Sequence, residues 1–237
     1  MSDLVRKLRP AKVRSALRRR YFEWRLSRLP IEPGAAVQTV ELGTAYGGWR
    51  IPEGAVGAGE ICYCIGSGDD ISFDLELIRR YHAVVRAVDP VAAYEPKALA
   101  AAEGVEGFTF RRAAVMTSDG PIRMQIHHEP GSQSLSAAGL YDSDNWVEVD
   151  GRTITTLMAE FGDERIDLLK IDVEGVEYEL VPTLDLVALG VRTFSVQLHH
   201  TGSVRGALQL IEHVQRQGFR LAAQRPVVKL TFTRAVP

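Results

Sequence analysis

Cysteine is scarce in this chain: two residues in 237, Cys62 and Cys64, two positions apart. On a strand they share a face, and a disulfide across that spacing would be strained. A metal site would need further ligands nearby. The expectation is a pair of reduced core cysteines in a cytoplasmic protein. No apolar run approaches about 18 residues, which argues against a membrane-spanning helix. The opening MSDLVRKLRP has no hydrophobic stretch behind its charges and does not read as a secretory signal. Internal repeats and low-complexity tracts are absent too. What remains is the composition of an ordinary soluble protein, 46% hydrophobic and 24% charged. A length of 237 residues suits one large domain better than two.

The net charge of -2 hides an asymmetry. Residues 1–30 hold ten Lys and Arg against two acids, Asp3 and Glu23, which leaves 18 basic and 28 acidic residues for the rest. A basic body would suggest a nucleic-acid groove; an acidic one does not. In the arm, Val13, Leu17, Tyr21 and Trp24 fall on one helical stripe, and Arg14, Arg18, Arg19, Arg20, Arg25 and Arg28 occupy much of the remainder. Such a basic amphipathic helix can lie on an anionic surface or on a partner, or pack on its own domain with solvated arginines. Tyr21 and Trp24 could equally meet a second subunit, so a homodimer stays open.

The chain divides into this arm, residues 1–34, and a domain over 35–237. Residues 35–59 read as a connector rich in glycine. From Glu60 onward, strands and helices alternate: strands at 61–65, 83–88 and 108–115, helices at 71–81 and 92–103. Residues 117–150 break the rhythm, with a turn at Asp119-Gly120 and loop at 131–137. A helix at 153–161, a strand at 166–171, a helix at 176–184, a strand at 193–198 and a helix at 203–217 follow. An antiparallel pair, 219–223 and 227–233, closes the chain. This alternation means a largely parallel sheet covered on both faces.

Two places carry chemistry. GSGDD (66–70) follows the first strand and leads into a helix, where glycines allow close approach to the backbone and the helix start offers free N–H groups. Asp89 ends the next strand, 23 positions beyond Gly66, and an acid there suits the two hydroxyls of a ribose. Dinucleotide enzymes and S-adenosylmethionine enzymes share that combination. A dinucleotide fingerprint wants a third glycine where Ile71 stands, and Asp69 and Asp70 put negative charge where phosphates would lie. The same acids are tolerable beside a cationic sulfonium, so a nicotinamide oxidoreductase is disfavoured. The second place is LLKIDVEGVEYEL (168–180), an apolar strand that runs into Asp172, Glu174 and Glu177. In an open α/β sheet, ligands sit at such carboxyl ends.

LLKIDVEGVEYELV (168–181) resembles the hallmark segment of FkbM-type methyltransferases, a branch of the class I S-adenosylmethionine-dependent enzymes. IGSGDDISFDLELI (65–78) is similar to a first cofactor motif, and FRRAAVMTSDG (110–120) and GSQSLSA (131–137) to the third-strand and serine-rich segments of that family. The resemblance spans about residues 60–200. It implies an α/β fold, a Rossmann-like class I methyltransferase sheet of seven strands in the order 3-2-1-4-5-7-6, the last strand antiparallel and helices on both faces. It also implies S-adenosyl-L-methionine as cofactor and methyl transfer to a hydroxyl on a small molecule or sugar. One departure stands out. Where many class I enzymes carry an acid, two residues before the first glycine, this chain has Cys64.

The residues then take roles. Gly66, Ser67 and Gly68 form the cofactor loop, Asp70 accepts from the cofactor amino group in place of the missing acid, and Asp89 binds the ribose. Arg112 and Ala113 neighbour the adenine, with Arg112 able to stack on it. Asp172 is base or acceptor-orienting group, at the edge of both sites, with Glu174 beside it; capping of the following helix is the alternative for Glu174. Lys170, on the same face as Asp172, needs a buried partner. His199 emerges near Asp172 as a candidate general base, or as a divalent-metal ligand with Asp172 and Glu174, though no metal is assigned. His200 and the pair His127-His128 are weaker candidates. Competing readings keep the fold with a nitrogen or protein acceptor, or make it a non-catalytic partner-binding protein.

Overall fold

The computed structural model describes residues 10–29, 38–126, 135–137, 144–200, 203–225 and 228–234, with side chains from residue 16 onward. Helix α1 (Pro10–Leu26) precedes a hairpin of β1 (Thr39–Leu42) and β2 (Trp49–Pro52). Then β3 (Ile61–Ile65), α2 (Ser72–Tyr81), β4 (Val84–Val88), α3 (Tyr94–Ala101) and β5 (Phe108–Arg111) alternate. Four further strands follow: β6 (Ala114–Val115), β7 (Gly120–Ile126), β8 (Leu135–Ser136) and β9 (Trp146–Arg152). The chain continues through α4 (Ile154–Phe161), β10 (Leu168–Ile171) and α5 (Glu177–Leu180), which runs into a 3-10 turn at Val181–Thr183. It closes with β11 (Thr193–Gln197), α6 (Val204–Arg216), β12 (Arg220–Arg225) and β13 (Lys229–Thr233).

Seven strands form one sheet in the spatial order β12-β13-β11-β10-β3-β4-β5. Numbered along the chain within this sheet, that is 3-2-1-4-5-7-6 read from the β5 edge. β3 pairs in parallel with both β4 and β10, and β10 with β11. Only β13 runs against its neighbours β11 and β12. The order reverses between β3 and β10, so the ends of these two strands border the crevice where ligands bind in open α/β sheets.

Alternation along the central strands divides the core. Tyr63 and Ile65 of β3 join Leu169, Ile171, Phe194 and Val196 in one cluster, which α4, α5, α6 and part of α1 cover. Cys62 and Cys64 point the other way, into a cluster with Trp49 and Ile51 of the hairpin and Phe73 and Leu77 of α2. Both cysteines are free and buried, and burial pushes both thiols well above their ordinary range. The expected shared face is therefore observed. Two helices begin on side-chain caps: Thr153 and Ser203 accept from the N–H of Thr156 and Gly206.

Three sequence expectations change. The stretch 108–115 is not one strand: β5 stays in the main sheet, whereas β6 pairs with β9 in a second, four-stranded sheet of order β6-β9-β7-β8. The break is at Arg112 and Ala113. The connector 35–59 contains the β1–β2 hairpin, whose Leu42, Trp49 and Ile51 are buried. On α1, the side chains that enter the core are Phe22 and Leu26, while Leu17, Tyr21 and Trp24 stay exposed.

β13 is held by its aromatic face. Phe232 and Phe194 are fully buried and stack with centroids 6.3 Å apart. Phe232→Ala removes that ring from a packed interior and is expected to cost about 3–5 kcal/mol. Urea unfolding is the check; a loss below about 1 kcal/mol would show that the closing strand does not depend on this contact.

Candidate active site

A cavity of about 500 Å³ opens at the carboxyl ends of β3, β4, β10 and β11. Its floor begins where β3 meets β10. Gly66 has a positive φ of 70°, and a Cβ on it would lie 1.7 Å from the carbonyl oxygen of Asp172. Only glycine permits the two strand ends to approach so closely. Gly66 N–H donates to Val88 O at 2.8 Å, and its own carbonyl accepts from Lys170 Nζ at 2.5 Å. That carbonyl is the partner the buried lysine requires. The Lys170 ammonium also lies 5.7 Å from the Trp49 ring. Burial raises the Asp74 carboxyl to about 6 despite the opposing pull of Lys170.

Asp89 sits at the end of β4, almost fully buried yet lining the cavity. Its carboxylate accepts from Gly68 N–H at 3.0 Å and from Val91 N–H at 2.9 Å. Burial is the larger influence and raises it to about 6, against the lowering effect of those two bonds. Ser67 donates to Cys64 O at 2.8 Å and shapes the loop. Asp70 lines the cavity as well and has a further task. It accepts from Thr44 Oγ1, from Gly47 N–H at 3.1 Å and from Ser72 N–H at 3.0 Å. Burial raises its pKa, but these bonds outweigh burial and lower it overall. Asp70 thus latches the hairpin loop to the start of α2.

Ala113 lines the cavity among Ile65, Val88, Val115 and Met116, an apolar wall fit for a flat ring. Arg112 does not line it. Its side chain is 55% exposed and lies 4.0 Å from Glu95. Strand β5 ends at Arg111, and the chain turns at 112–113 toward β6, so neighbours in sequence face different ways.

Asp172 and Glu174 both line the cavity beyond β10. Glu174 has a φ of 49°, a left-handed conformation that non-glycine residues seldom adopt. Behind them lies Glu177, fully buried at the start of α5. It accepts from Gly175 N–H at 2.8 Å and from His199 N–H at 2.7 Å. His199 Nδ1 is 3.2 Å from the same Glu177 oxygen, while Nε2 lies 3.6 Å from Asp172 and 3.4 Å from Glu174. Burial lowers the imidazole pKa, but Glu177 first, then Asp172 and Glu174, raise it to about 9. At neutral pH His199 is therefore an imidazolium braced by three carboxylates. A charged imidazolium has no lone pair for a proton, so a general-base role for His199 belongs to the neutral form reached as pH rises through about 9. His200 is exposed and lowered mainly by desolvation. His127 and His128 lie outside the described residues. Among the described residues, no group of three or more His, Cys, Asp or Glu side chains is arranged to hold a metal ion.

The opposite wall comes from residues that the sequence does not mark. Tyr46 and Gly47 of the hairpin loop, Gln197 at the end of β11, and Arg225 and Lys229 of the antiparallel pair all line the cavity. Lys229 Nζ donates to Tyr46 O at 3.1 Å and Gly48 O at 3.3 Å, and sits 4.8 Å from the Trp49 ring. Burial pushes it down to about 8, and the nearby Asp172 opposes that shift.

The sequence matches the family model described as the Methyltransferase FkbM domain over residues 60–221, well over half of the chain. The chain belongs to the FkbM methyltransferase family. Among solved structures, a methyltransferase FkbM from Methylobacillus flagellatus KT is similar at 12% identity and a TM-score of 0.46, over 74% of this chain and 43% of that one. The fibrillarin pre-rRNA processing protein of Methanococcus jannaschii is similar at 10% identity and a TM-score of 0.46, over 78% of this chain and 70% of that one. This chain spans less than half the length of the Methylobacillus protein. No curated protein matches the sequence significantly.

In this FkbM-family chain, the DVEG segment and His199, just beyond β11, thus form one ionic unit, with Glu177 as the acid at its centre. Because the folded pKa of His199 lies above its ordinary 6.5, its stabilising effect is fully present below about pH 6.5 and is lost as pH rises through about 9. Nuclear magnetic resonance should find the His199 imidazole titrating near 9, and Glu177→Gln should lower that value. Urea midpoints of the wild type should fall between pH 6.5 and 9, and His199→Gln should flatten the fall. Titration of His199 near its ordinary value would remove this account of the site.

Proposed function

We propose that this chain transfers a methyl group from S-adenosylmethionine to a hydroxyl of a small acceptor. The carrying observation is that the GSGDD loop, Asp89 and the Asp172–Glu174 pair all border one cavity. Its volume falls in the range of about 300–1,000 Å³ that small-molecule sites occupy. The residues suit that cofactor. Asp89 is a nearly buried acid at the strand end where ribose hydroxyls are commonly bound. Ala113, Val115 and Val88 offer apolar surface to an adenine, and Asp69, Asp172 and Glu174 favour a cation over a phosphate.

S-adenosylmethionine supplies a methyl group already activated on a sulfonium. The chain's own task is alignment, exclusion of water and acceptance of a proton. Asp172 and Glu174 orient the acceptor hydroxyl by accepting its hydrogen bond, and His199 holds both carboxylates in place from behind. Lys229, with its proton equilibrium near 8, is the cavity group best matched to receive the hydroxyl proton as the new C–O bond forms. The hairpin loop carrying Tyr46 covers one side of the cavity, tied to the body by Asp70 and Arg225.

Calorimetric titration with S-adenosylhomocysteine tests the cofactor directly. Micromolar binding is expected for the wild type and its loss for Asp89→Ala, with circular dichroism to verify that the variant is folded. A folded wild type that does not bind would overturn the methyltransferase reading with this cofactor.

The role of Lys229 has its own test. Turnover with an accepted hydroxylated substrate should rise with pH through about 8 as the amine loses its proton. Lys229→Arg keeps the charge but cannot give it up, so kcat should fall by about 10²–10⁴ while cofactor affinity stays within a fewfold. An unchanged kcat in that variant would leave Lys229 with a structural part only.

A further inference from the structure

Helix α1 has two apolar faces. Phe22 and Leu26 are buried in the main core, and the Leu26 carbonyl accepts from Gln224 Nε2 at 2.7 Å, so this face is docked on the body. Leu17, Tyr21 and Trp24 form the second face, exposed at 61%, 56% and 46%. With about 100° of rotation per residue, the second stripe points about 150° away from the first. It therefore faces outward from the body. Tyr21 and Trp24 stack at 5.9 Å, and the Arg28 guanidinium covers the Trp24 ring at 4.4 Å.

We infer that this outward face of α1 is a docking surface for an anionic lipid bilayer. Its composition is that of an interfacial helix, with Leu, Tyr and Trp in the middle and Arg18, Arg20 and Arg25 exposed at the flanks. Aromatic side chains with a polar edge suit the headgroup level, and arginines suit lipid phosphates. The one acid of the helix, Glu23, is engaged by Arg19 at 2.7 Å on a different side. Charge also decides between occupants. Residues 31–237 carry 28 acids against 18 basic residues, so an anionic surface repels the body and attracts the arm, which fixes the orientation. A symmetric contact between two copies through the same face would bring arginine against arginine. Docking on this face leaves Phe22 and Leu26 in the core and does not involve the cavity residues, so it stands independently of the proposed reaction.

Co-sedimentation of the full chain with vesicles is the experiment. Binding is expected to phosphatidylcholine vesicles containing about one-third phosphatidylglycerol and not to pure phosphatidylcholine. Raising the salt to about 0.5 M should weaken it at least tenfold. The variant Leu17→Ser/Tyr21→Ser/Trp24→Ser should also lose about tenfold or more. Because all three side chains are exposed, its thermal midpoint and its S-adenosylhomocysteine titration should match the wild type. Absence of vesicle binding, equal binding to neutral vesicles, or a dimer that the triple variant dissolves without any vesicle binding would each overturn the inference.

Discussion

The fully buried carboxylate of Glu177 is the constraint around which the site is built. A buried charge is tolerated only with a partner and with hydrogen bonds to its oxygens. Glu177 has both: the His199 imidazolium, and the N–H groups of Gly175 and His199. Those three groups come from the turn after β10 and from the end of β11. Satisfying one acid therefore fixes the relative position of two strand ends. It also fixes the charge state of His199, which then holds Asp172 and Glu174 from behind. The backbone strain at Glu174, with its φ of 49°, is sustained by the same network. Removal of His199 would leave Glu177 without its charged partner, whereas removal of Glu177 would leave His199 facing Asp172 and Glu174.

A second set of contacts closes the cavity from the other side. Asp70 binds Thr44 and Gly47 of the hairpin loop, and a Cβ on Gly47 would come within 2.6 Å of the Asp70 carboxyl carbon. Arg225 donates to the carbonyls of Thr44, Ala45 and Gly48, and Lys229 to those of Tyr46 and Gly48. The loop is thus held by an acid from the cofactor-motif side and by two cations from β12 and β13. Trp49 at the base of the loop receives Lys170 and Lys229 on its ring, so one aromatic side chain neighbours both cavity lysines. The hairpin, a connector by composition, is the wall that turns an open crevice into a bounded cavity.

The sheet was legible because its strands are apolar runs that alternate with helical segments. Asp89 and Asp172 were legible because each ends such a strand. The hairpin was not, since its two strands stand in a glycine-rich stretch with no helix between them to set that rhythm. Nor was the division of 108–115, because Arg112 and Ala113 change direction without a glycine or proline to mark it. On α1, periodicity picks out the stripe of Val13, Leu17, Tyr21 and Trp24, whereas packing buries Phe22 and Leu26. Glu177 was visible as part of an acidic run, but its place at the centre depends on His199, 22 positions later, arriving beside it. The charge state of His199 follows from three carboxylates converging from the two segments, a property of no single segment.

The distribution of charge then makes the cavity directional. Asp69, Asp89, Asp172 and Glu174 line the side formed by strand ends and the glycine loop, while Arg225 and Lys229 stand on the side of the antiparallel pair. A phosphate placed against the glycine loop would meet Asp69 and Asp70, and Lys170 beside that loop donates to the Gly66 carbonyl. A cation at the same point meets favourable potential, strongest where Asp172 and Glu174 converge. Loss of the Lys170 charge would leave Asp74 and Asp89 with one fewer opposing charge, and both already lie near 6 because of burial. The buried lysine therefore limits how far those two acids rise, while Asp69, Asp70, Asp172 and Glu174 line the cavity around Asp89.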